Sequence, residues 1–559
     1  MTRGRFRMVA SAAMLSMLAM APAMAQQATE YVAPPAPTYA QPMDDAESAR
    51  MAARVREETR HAWQGYMRYA KGHDALKPLS RKPHDWYPQS LLMTPVDALD
   101  TLLLMGLDTE AAEARELIAT QLSFDHDMPV QNFEVVIRLL GGLLSAYQLT
   151  GDERLLALAD DLGTRLLPVF ESPTGLPYTH VNLRTGAVKG KVSNPAETGT
   201  LLLEFGTLSK LTGKPIYYDK AKRALLATFE RRSTVGLVGS GIDVETGEWT
   251  DRDSHVGGGI DSYYEYLLKC WKLFGDQDCK RMWEESVGPM HRYLADEVRD
   301  GELWYGHADM DSGVRTTSVY GALDAFLPAV LALGGDLDRA KRLQQSGQAM
   351  WRLHGIEPEA IDYRKMEVLS GGYPLRPEII ESAYYLHHFT RDPRWRAMGR
   401  EFFDDFVRHT RTEAGYAAIK DVRTMEQRDS MESFVLAETF KYWWLLFSPP
   451  SALDFDGGTG KVLTSKEDDG VLARITGFIH LDKAGAYKFA FESNDGVRLK
   501  IDGKMVVEDP GVHDDQFSEL ATLEVAKPGW YPLSIDFFER RVSAYQVGIT
   551  GDVGFDEDF

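Results

Sequence analysis

The chain has 559 residues, 44% of them hydrophobic and 26% charged, with a formal net charge of −21. That length and balance describe a soluble globular protein of roughly two to four domains. The acidity argues against nucleic acid or an anionic membrane as partner. It suits a protein that binds a cation and neutral sugar, and it also serves plain solubility.

In chain order, residues 1–25 read as a signal peptide. Arg3, Arg5 and Arg7 form a basic region, Met8 to Met20 an apolar run, and Ala23-Met24-Ala25 an A-x-A cleavage site. The run is too short to span a bilayer, and no cysteine follows the cleavage point to carry a lipid. No stable membrane anchor is expected; an exported protein, periplasmic or secreted, is. Residues 26–45, with Ala33-Pro34-Pro35-Ala36-Pro37, read as a linker.

Residues 46–450 are patterned as helices. Apolar residues recur at three- and four-residue spacing, as in Leu155, Leu156, Leu158, Leu162, Leu166 and Leu167. One kind of junction returns: Leu149-Thr150-Gly151-Asp152, Leu211-Thr212-Gly213-Lys214, Phe274-Gly275-Asp276, Gly334-Gly335-Asp336 and Thr390-Arg391-Asp392. Each ends one helix at a glycine or polar residue and often starts the next with an aspartate cap. The junctions close at 152, 214, 276, 336 and 392, spacings of 62, 62, 60 and 56 residues. A two-helix repeat of that size builds an array of hairpins, either an open solenoid or a closed α/α toroid. Cys270 and Cys279 flank one junction. In an exported chain they permit one disulfide across the helix–turn–helix, with two unpaired thiols as the alternative; their spacing excludes a CxxC-type metal site.

After Ser448-Pro449-Pro450 the pattern changes. Residues 453–559 read as a separate all-β domain, with strands at Ile475 to Leu481, Ala486 to Glu492 and Val497 to Ile501. Turns fall at Lys483-Ala484-Gly485, Asn494-Asp495-Gly496 and Asp502-Gly503.

Several segments carry acids in telling positions. These are Ser90-Leu91-Leu92 with Asp97-Ala98-Leu99-Asp100-Thr101-Leu102; Phe133-Glu134-Val135-Val136-Ile137-Arg138; Gly259-Ile260-Asp261-Ser262-Tyr263-Tyr264-Glu265; Leu375-Arg376-Pro377-Glu378-Ile379-Ile380-Glu381; and Met431-Glu432-Ser433-Phe434 running to Glu438. In this order, over about 46–447, they resemble glycoside hydrolase family 47, the class I α-mannosidases. The resemblance implies a closed (α/α)7 barrel, which agrees with the hairpin repeat. It also implies an exo-acting hydrolase that removes terminal α-1,2-linked mannose with inversion, from high-mannose glycans or mannan. The C-terminal part is similar to a PA14 β-sandwich through Thr476-Gly477-Phe478-Ile479, Gly485-Ala486-Tyr487-Lys488-Phe489, Ser493-Asn494-Asp495-Gly496 and Ile501-Asp502-Gly503-Lys504. Such domains bind glycan surfaces or act as spacers.

Inverting hydrolysis needs one carboxyl to protonate the leaving oxygen and another, roughly 6.5–9.5 Å away, to activate water. The matching residues are Glu134, Asp261, Glu359 and Glu378. Glu378 follows Pro377, so it falls in the first turn of a helix, where the dipole favours an ionised base; Glu381, one turn on, can face the same cavity. Without the family match, a capping or exposed glutamate would be the default reading of Arg-Pro-Glu. Glu134 sits in an apolar run that would raise its pKa, while Arg138 at i+4 opposes the effect. The resemblance gives the donor role to Glu134 or Asp261 without ranking them. Asp261 also reads as the N-cap of a helix from Ser262 to Phe274. Glu359 is preferred over Glu357 because it follows Pro358. Arg138, Arg376, Phe434 and Glu438 are expected to bind substrate, with surface ion pairing and core packing as their plain alternatives. The family implies one Ca²⁺, held by a threonine in a Thr-Glu-Ala-His segment. This chain has Lys461-Val462-Leu463-Thr464-Ser465-Lys466-Glu467 there instead, so Thr464 is the expected ligand and Ser465 the reserve; the same residues read equally as a first β-strand. That departure motivates the alternative of a catalytically impaired mannose-binding protein. No P-loop, GxSxG elbow or HExxH motif competes.

Overall fold

A computed structural model describes residues 43–299, 301–449, 471–481, 483–493, 496–511, 516–539 and 548–550. The signal peptide, nearly all of the linker, and the Thr464 and Ser465 metal expectation lie outside these residues.

The helical region forms seven antiparallel pairs. They are α2 (Met93–Leu104) with α3 (Asp108–Gln121), α4 (Gly141–Thr150) with α5 (Glu153–Leu166), and α6 (Leu202–Thr212) with α7 (Pro215–Glu230). Next come α8 (Asp261–Phe274) with α9 (Gln277–Tyr293), α10 (Leu327–Leu333) with α11 (Leu337–Arg352), and α12 (Glu378–Thr390) with α13 (Pro393–Thr410). The seventh pair joins the chain ends, α1 (Asp45–Tyr69) against α14 (Phe440–Phe447). The even-numbered helices touch in succession, and the turn Val435–Thr439 that leads into α14 touches α2. The ring is therefore closed, and the toroid, not the open solenoid, is the fold.

The expected junctions make the hairpins. Gly151, Gly213 and Gly275 end their helices in the left-handed region, with φ of 64°, 70° and 68°, where a side chain would be strained. Asp152, Asp276, Asp336 and Asp392 then accept backbone N–H groups of the next helix. Outer helices are amphipathic: α5 buries Leu155, Ala159, Leu162, Gly163 and Leu166 along one face. The inner α2 is buried from Met93 to Leu102 without a break. A disulfide joins Cys270 to Cys279 across the α8–α9 turn, with Cα atoms 5.9 Å apart.

At the other end of the barrel the chain crosses between hairpins through short antiparallel ribbons. Val319–Gly321 with Ala360–Asp362 and Glu367–Ser370 is one; Pro129–Gln131 with His180–Asn182 and Val188–Lys189 is another. Every inner helix thus begins at this end, and its first residues face the barrel mouth.

In the C-terminal region one sheet has the strand order Val471–Leu481, Gly529–Glu539, Val497–Ile501, Lys504–Asp509. In the other, Gly485–Ser493 pairs with Ala521–Val525 and, further along, with Gln516–Phe517 and Gly548–Thr550. Val497, Leu499 and Ile501 alternate inward and join Phe489, Phe491, Val525 and Ile535 in a core of their own. The Asp502-Gly503 turn has φ of 52° and 72° at its two residues, the signature of a two-residue hairpin.

Candidate active site

The starts of the inner helices collect the acids. Asp261 opens α8 after Gly257-Gly258-Gly259, and Glu378 opens α12 directly after Pro377. Glu134 lies in the short helix Asn132–Val135, which runs through a π turn, Val136–Leu140, into α4. A second π turn, Val435–Thr439, carries Glu438 into α14. Such turns insert a residue into the helix and re-aim its side chains, and here one carries Arg138 and the other Glu438.

Arg138 is largely enclosed and held on several sides. Its Nε donates to Glu134 Oε2 at 2.8 Å, and its Nη1 lies 3.6 Å from Asp97 Oδ2. The guanidinium stands over the rings of Trp86 at 5.2 Å and Phe434 at 5.5 Å. Glu134 is therefore ion-paired and partly exposed. Arg376 forks onto Glu359, Nη2 to Oε1 at 2.5 Å and Nε to Oε2 at 3.3 Å. The preference for Glu359 thus picks an acid whose charge is already answered. Glu357, the rival in the same motif, is fully buried, and neither of its oxygens has a protein partner. Burial first, then the charges of Glu378 and Glu359, push its carboxyl well above the usual range.

Burial governs the remaining acids. Asp261 is pushed up to about 7, by burial above all, although its Oδ1 accepts Ser262 N–H at 2.8 Å. It is the first helical residue and not the cap; Ile260 occupies the cap position. The expectation for Glu378 is reversed. Burial pushes it up to about 8 and outweighs Arg376, so the helix start does not leave it readily ionised. Its Oε2 is buried without a protein partner. Glu381 is likewise pushed up to about 8 by burial, against the pull of Lys269, with Tyr442 donating to it at 3.0 Å. Glu438 and Asp97 are raised by burial too. Glu265 takes Lys269 Nζ at 2.5 Å.

The structure thus gathers Glu134, Arg138, Asp261, Glu359, Arg376, Glu378, Glu381, Phe434 and Glu438 into one charged network. It adds four residues to which the sequence analysis gave no role in the site: Asp97, Glu204, Lys269 and Asp324. Asp97 and Lys269 were open to detection, Asp97 as the acid of an Asp-Ala-Leu-Asp segment and Lys269 at i+4 from Glu265. Glu204 and Asp324 carry no local signal. Beside the network lies a cavity of about 560 Å³ lined by Trp86, Tyr87, Gln131, His180, Met431 and Glu432. Within the network, one Glu378 oxygen has no protein donor and neighbouring acids raise one another's proton affinity, carboxylate oxygen chemistry of the kind a hard divalent cation takes.

Residues 58–464 match the model of glycosyl hydrolase family 47. The chain belongs to this family. Residues 436–551 match the PA14 domain, so a family 47 class I α-mannosidase domain precedes a PA14 domain. Alpha-mannosidase I MNS4 of Arabidopsis thaliana is 40% identical over 451 residues, 77% of this chain and 71% of that one. ER degradation-enhancing alpha-mannosidase-like protein 2 of Homo sapiens is 38% identical over 422 residues, 73% of this chain and 72% of that one. Among solved structures, the alpha-1,2-mannosidase from Trichoderma reesei superposes with a TM-score of 0.67 at 26% identity, covering 72% of this chain and 94% of that one. The family fold, an (α/α)7 barrel, is the closed ring of seven hairpins described above. No helix among the described residues is long and apolar enough to cross a membrane.

Proposed function

We propose that the protein is an exo-acting α-1,2-mannosidase that inverts configuration at the released mannose. One observation carries the reading: Asp261, at the start of α8 with its carboxyl pushed up to about 7, lies in the same network as Glu378, which has an oxygen free of any protein donor. In this reading Asp261 holds the proton for the leaving oxygen, and Glu134, fixed by Arg138, orients the group being protonated. Glu378 takes a proton from the attacking water. Arg376, locked to Glu359, binds sugar hydroxyls, and the Phe434 ring lies against the sugar. Calcium is the proposed cofactor. Glu378, Glu381 and Glu438 would hold its waters, and Thr464 is the proposed protein ligand. When bound, the cation would favour the ionised form of these acids and bind sugar hydroxyls. The substrates are terminal α-mannosides of high-mannose glycans or mannan, met outside the cytoplasm after export. The PA14 domain, residues 453–559 in this division of the chain, would hold the enzyme to a glycan surface.

The test is incubation with α-1,2-mannobiose, following anomeric protons by NMR with calcium and then with a chelator. β-Mannose appearing first, and turnover lost on chelation, is expected. Glu378→Gln should cut turnover by about 10²–10⁴-fold while sugar still binds. First-formed α-mannose would overturn inversion. Absence of release from this and longer α-1,2 oligomannosides would overturn the enzymatic reading.

A further inference from the structure

Asp324 lies in the 3₁₀ turn Leu323–Phe326 and is 5% exposed. Its Oδ2 accepts the Gly321 N–H at 3.0 Å, while its buried Oδ1 has no protein donor. The carboxyl lies flush against Gly257, where a Cβ would come within 2.4 Å of Oδ2. The Gly257 carbonyl accepts the N–H of Asp261 at 3.0 Å, so the same glycine seats Asp324 and starts the Asp261 helix.

On its other side Gly257 donates its N–H to His255 Nδ1 at 3.1 Å. His255 stacks on His307, with centroids 4.4 Å apart and planes 23° from parallel. His307 Nδ1 meets Asp253 Oδ2 at 2.6 Å, and Asp253 Oδ1 accepts the Thr316 hydroxyl at 3.1 Å. Asp253, His255 and His307 have ligand atoms within 4.8 Å of one another, but they are poorly disposed for a metal. Near-parallel rings direct their lone pairs side by side and not onto one point. The Gly257 N–H also fixes His255 in the tautomer whose outer nitrogen carries a proton. What the cluster does offer is the His307 imidazole, paired with Asp253 and close enough to act on the Asp324 carboxyl.

We propose that Asp324 is a positioning residue for Asp261: a second carboxyl, sealed behind the Gly257 turn, that keeps the proton on Asp261 and is itself answered by the His307–Asp253 pair. This rests on the acid role given to Asp261 above. Two neighbouring buried carboxyls titrate as a pair, and whichever has the better counter-ion ionises first and holds the proton on the other. Burial raises both to about 7; the His307 charge then draws Asp324 toward the carboxylate, and Asp261 opposes it. The titratable groups around Asp324 are His307 on the strand His307–Asp309, Asp261 on α8 and Tyr320 on Val319–Gly321; Asp261 itself also feels Glu265 on α8, which raises it, and Arg376, which lowers it. From α12 the Ser382 hydroxyl reaches the adjoining Ala325 carbonyl at 2.6 Å.

The pH profile of kcat separates this role from a structural one. Asp324→Asn keeps the shape and removes the charge, so Asp261 loses its proton sooner and the alkaline limb moves to lower pH by about one unit. His307→Gln should move the limb in the native background and not in Asp324→Asn, because it acts through Asp324. A uniform fall in kcat with the limb in place overturns the proposal, as does a His307→Gln shift that persists without Asp324. Infrared titration of the protonated carboxyl band in the full chain, without substrate, gives an independent reading. Asp261→Asn and Asp324→Asn should each remove one buried acid, and in Asp324→Asn the Asp261 band should vanish at lower pH than in the native chain. An unmoved band refutes the coupling even if mannose is released. Failure to release mannose with a moved band refutes only the assigned activity.

Discussion

Glu204 isolates the cost of burying an acid in this barrel. It lies on α6, its Oε1 accepts the Tyr266 hydroxyl at 2.5 Å, and its Oε2 is buried without a protein partner. Burial, far more than any neighbour, pushes it from 4.5 up to about 7. A folded-state value above the unfolded one means that the native chain binds the proton more tightly. The stabilisation is complete below about pH 4.5 and is lost as the pH rises through about 7. At about 1.4 kcal/mol per unit, that loss is about 3 kcal/mol. Glu204→Gln keeps an oxygen for Tyr266 and does not titrate. Urea unfolding of both proteins at pH 4.5 and pH 8 should therefore show the variant gaining about 3 kcal/mol relative to the native chain across that interval. The other raised acids contribute equally to both curves and drop out of the difference. Parallel curves would show that Glu204 titrates alike in folded and unfolded chains, and would refute the reasoning.

Opening the Cys270–Cys279 bond, by Cys→Ser at both positions, should cost about 2–3 kcal/mol for so short a loop and lower Tm by several degrees; catalysis at low temperature should survive, since Asp261 sits at the far end of α8. Arg376→Lys keeps the charge but cannot fork onto Glu359, and should lose about 1.5–3 kcal/mol of transition-state binding, about 10–100-fold in kcat/KM. Calcium binding must expel protons from Glu378 and Glu381, each pushed up to about 8, so calorimetry at pH 7 in buffers of different ionisation enthalpy should report proton release and an affinity that rises with pH. A pH-independent affinity would remove these two acids from the cation's surroundings.

Much of the barrel could be read from its punctuation. The Gly-Asp junctions give the hairpins because a left-handed residue and a capping aspartate are local requirements, satisfied by the residues themselves. Closure could not be read that way. It depends on α1 meeting α14 and on the Val435–Thr439 turn meeting α2, contacts between residues hundreds of positions apart. The site follows the same division. Glu134 with Arg138, and Asp261 with Glu265, sit at helical spacings, and their mutual influence is visible in the sequence. The Glu359–Arg376 pair and the Arg138 seat between Trp86 and Phe434 join separate loops, and only the fold brings them together.

The reversal at Glu378 shows why local rules fail where the chemistry is. A helix start favours a carboxylate by about 0.3–1 kcal/mol when exposed and up to about 2 when partly buried, whereas a rise from 4.5 to about 8 corresponds to about 5 kcal/mol in the other direction. The sequence announces the first effect through Pro377 and is silent on the second. Burial depends on what the closed ring places around that residue: Glu381 one turn on along its own helix, Glu438 from the last π turn, and the flanking helices α10 and α14. Two arginines, Lys269 and Lys441 do not balance the acids assembled there. The remaining negative charge must be met by protons or by a bound cation. Carboxyls such as Asp261 and Glu378, each raised by burial toward neutrality, are what a closed ring of inward-facing helix starts produces when acids are placed at two of them.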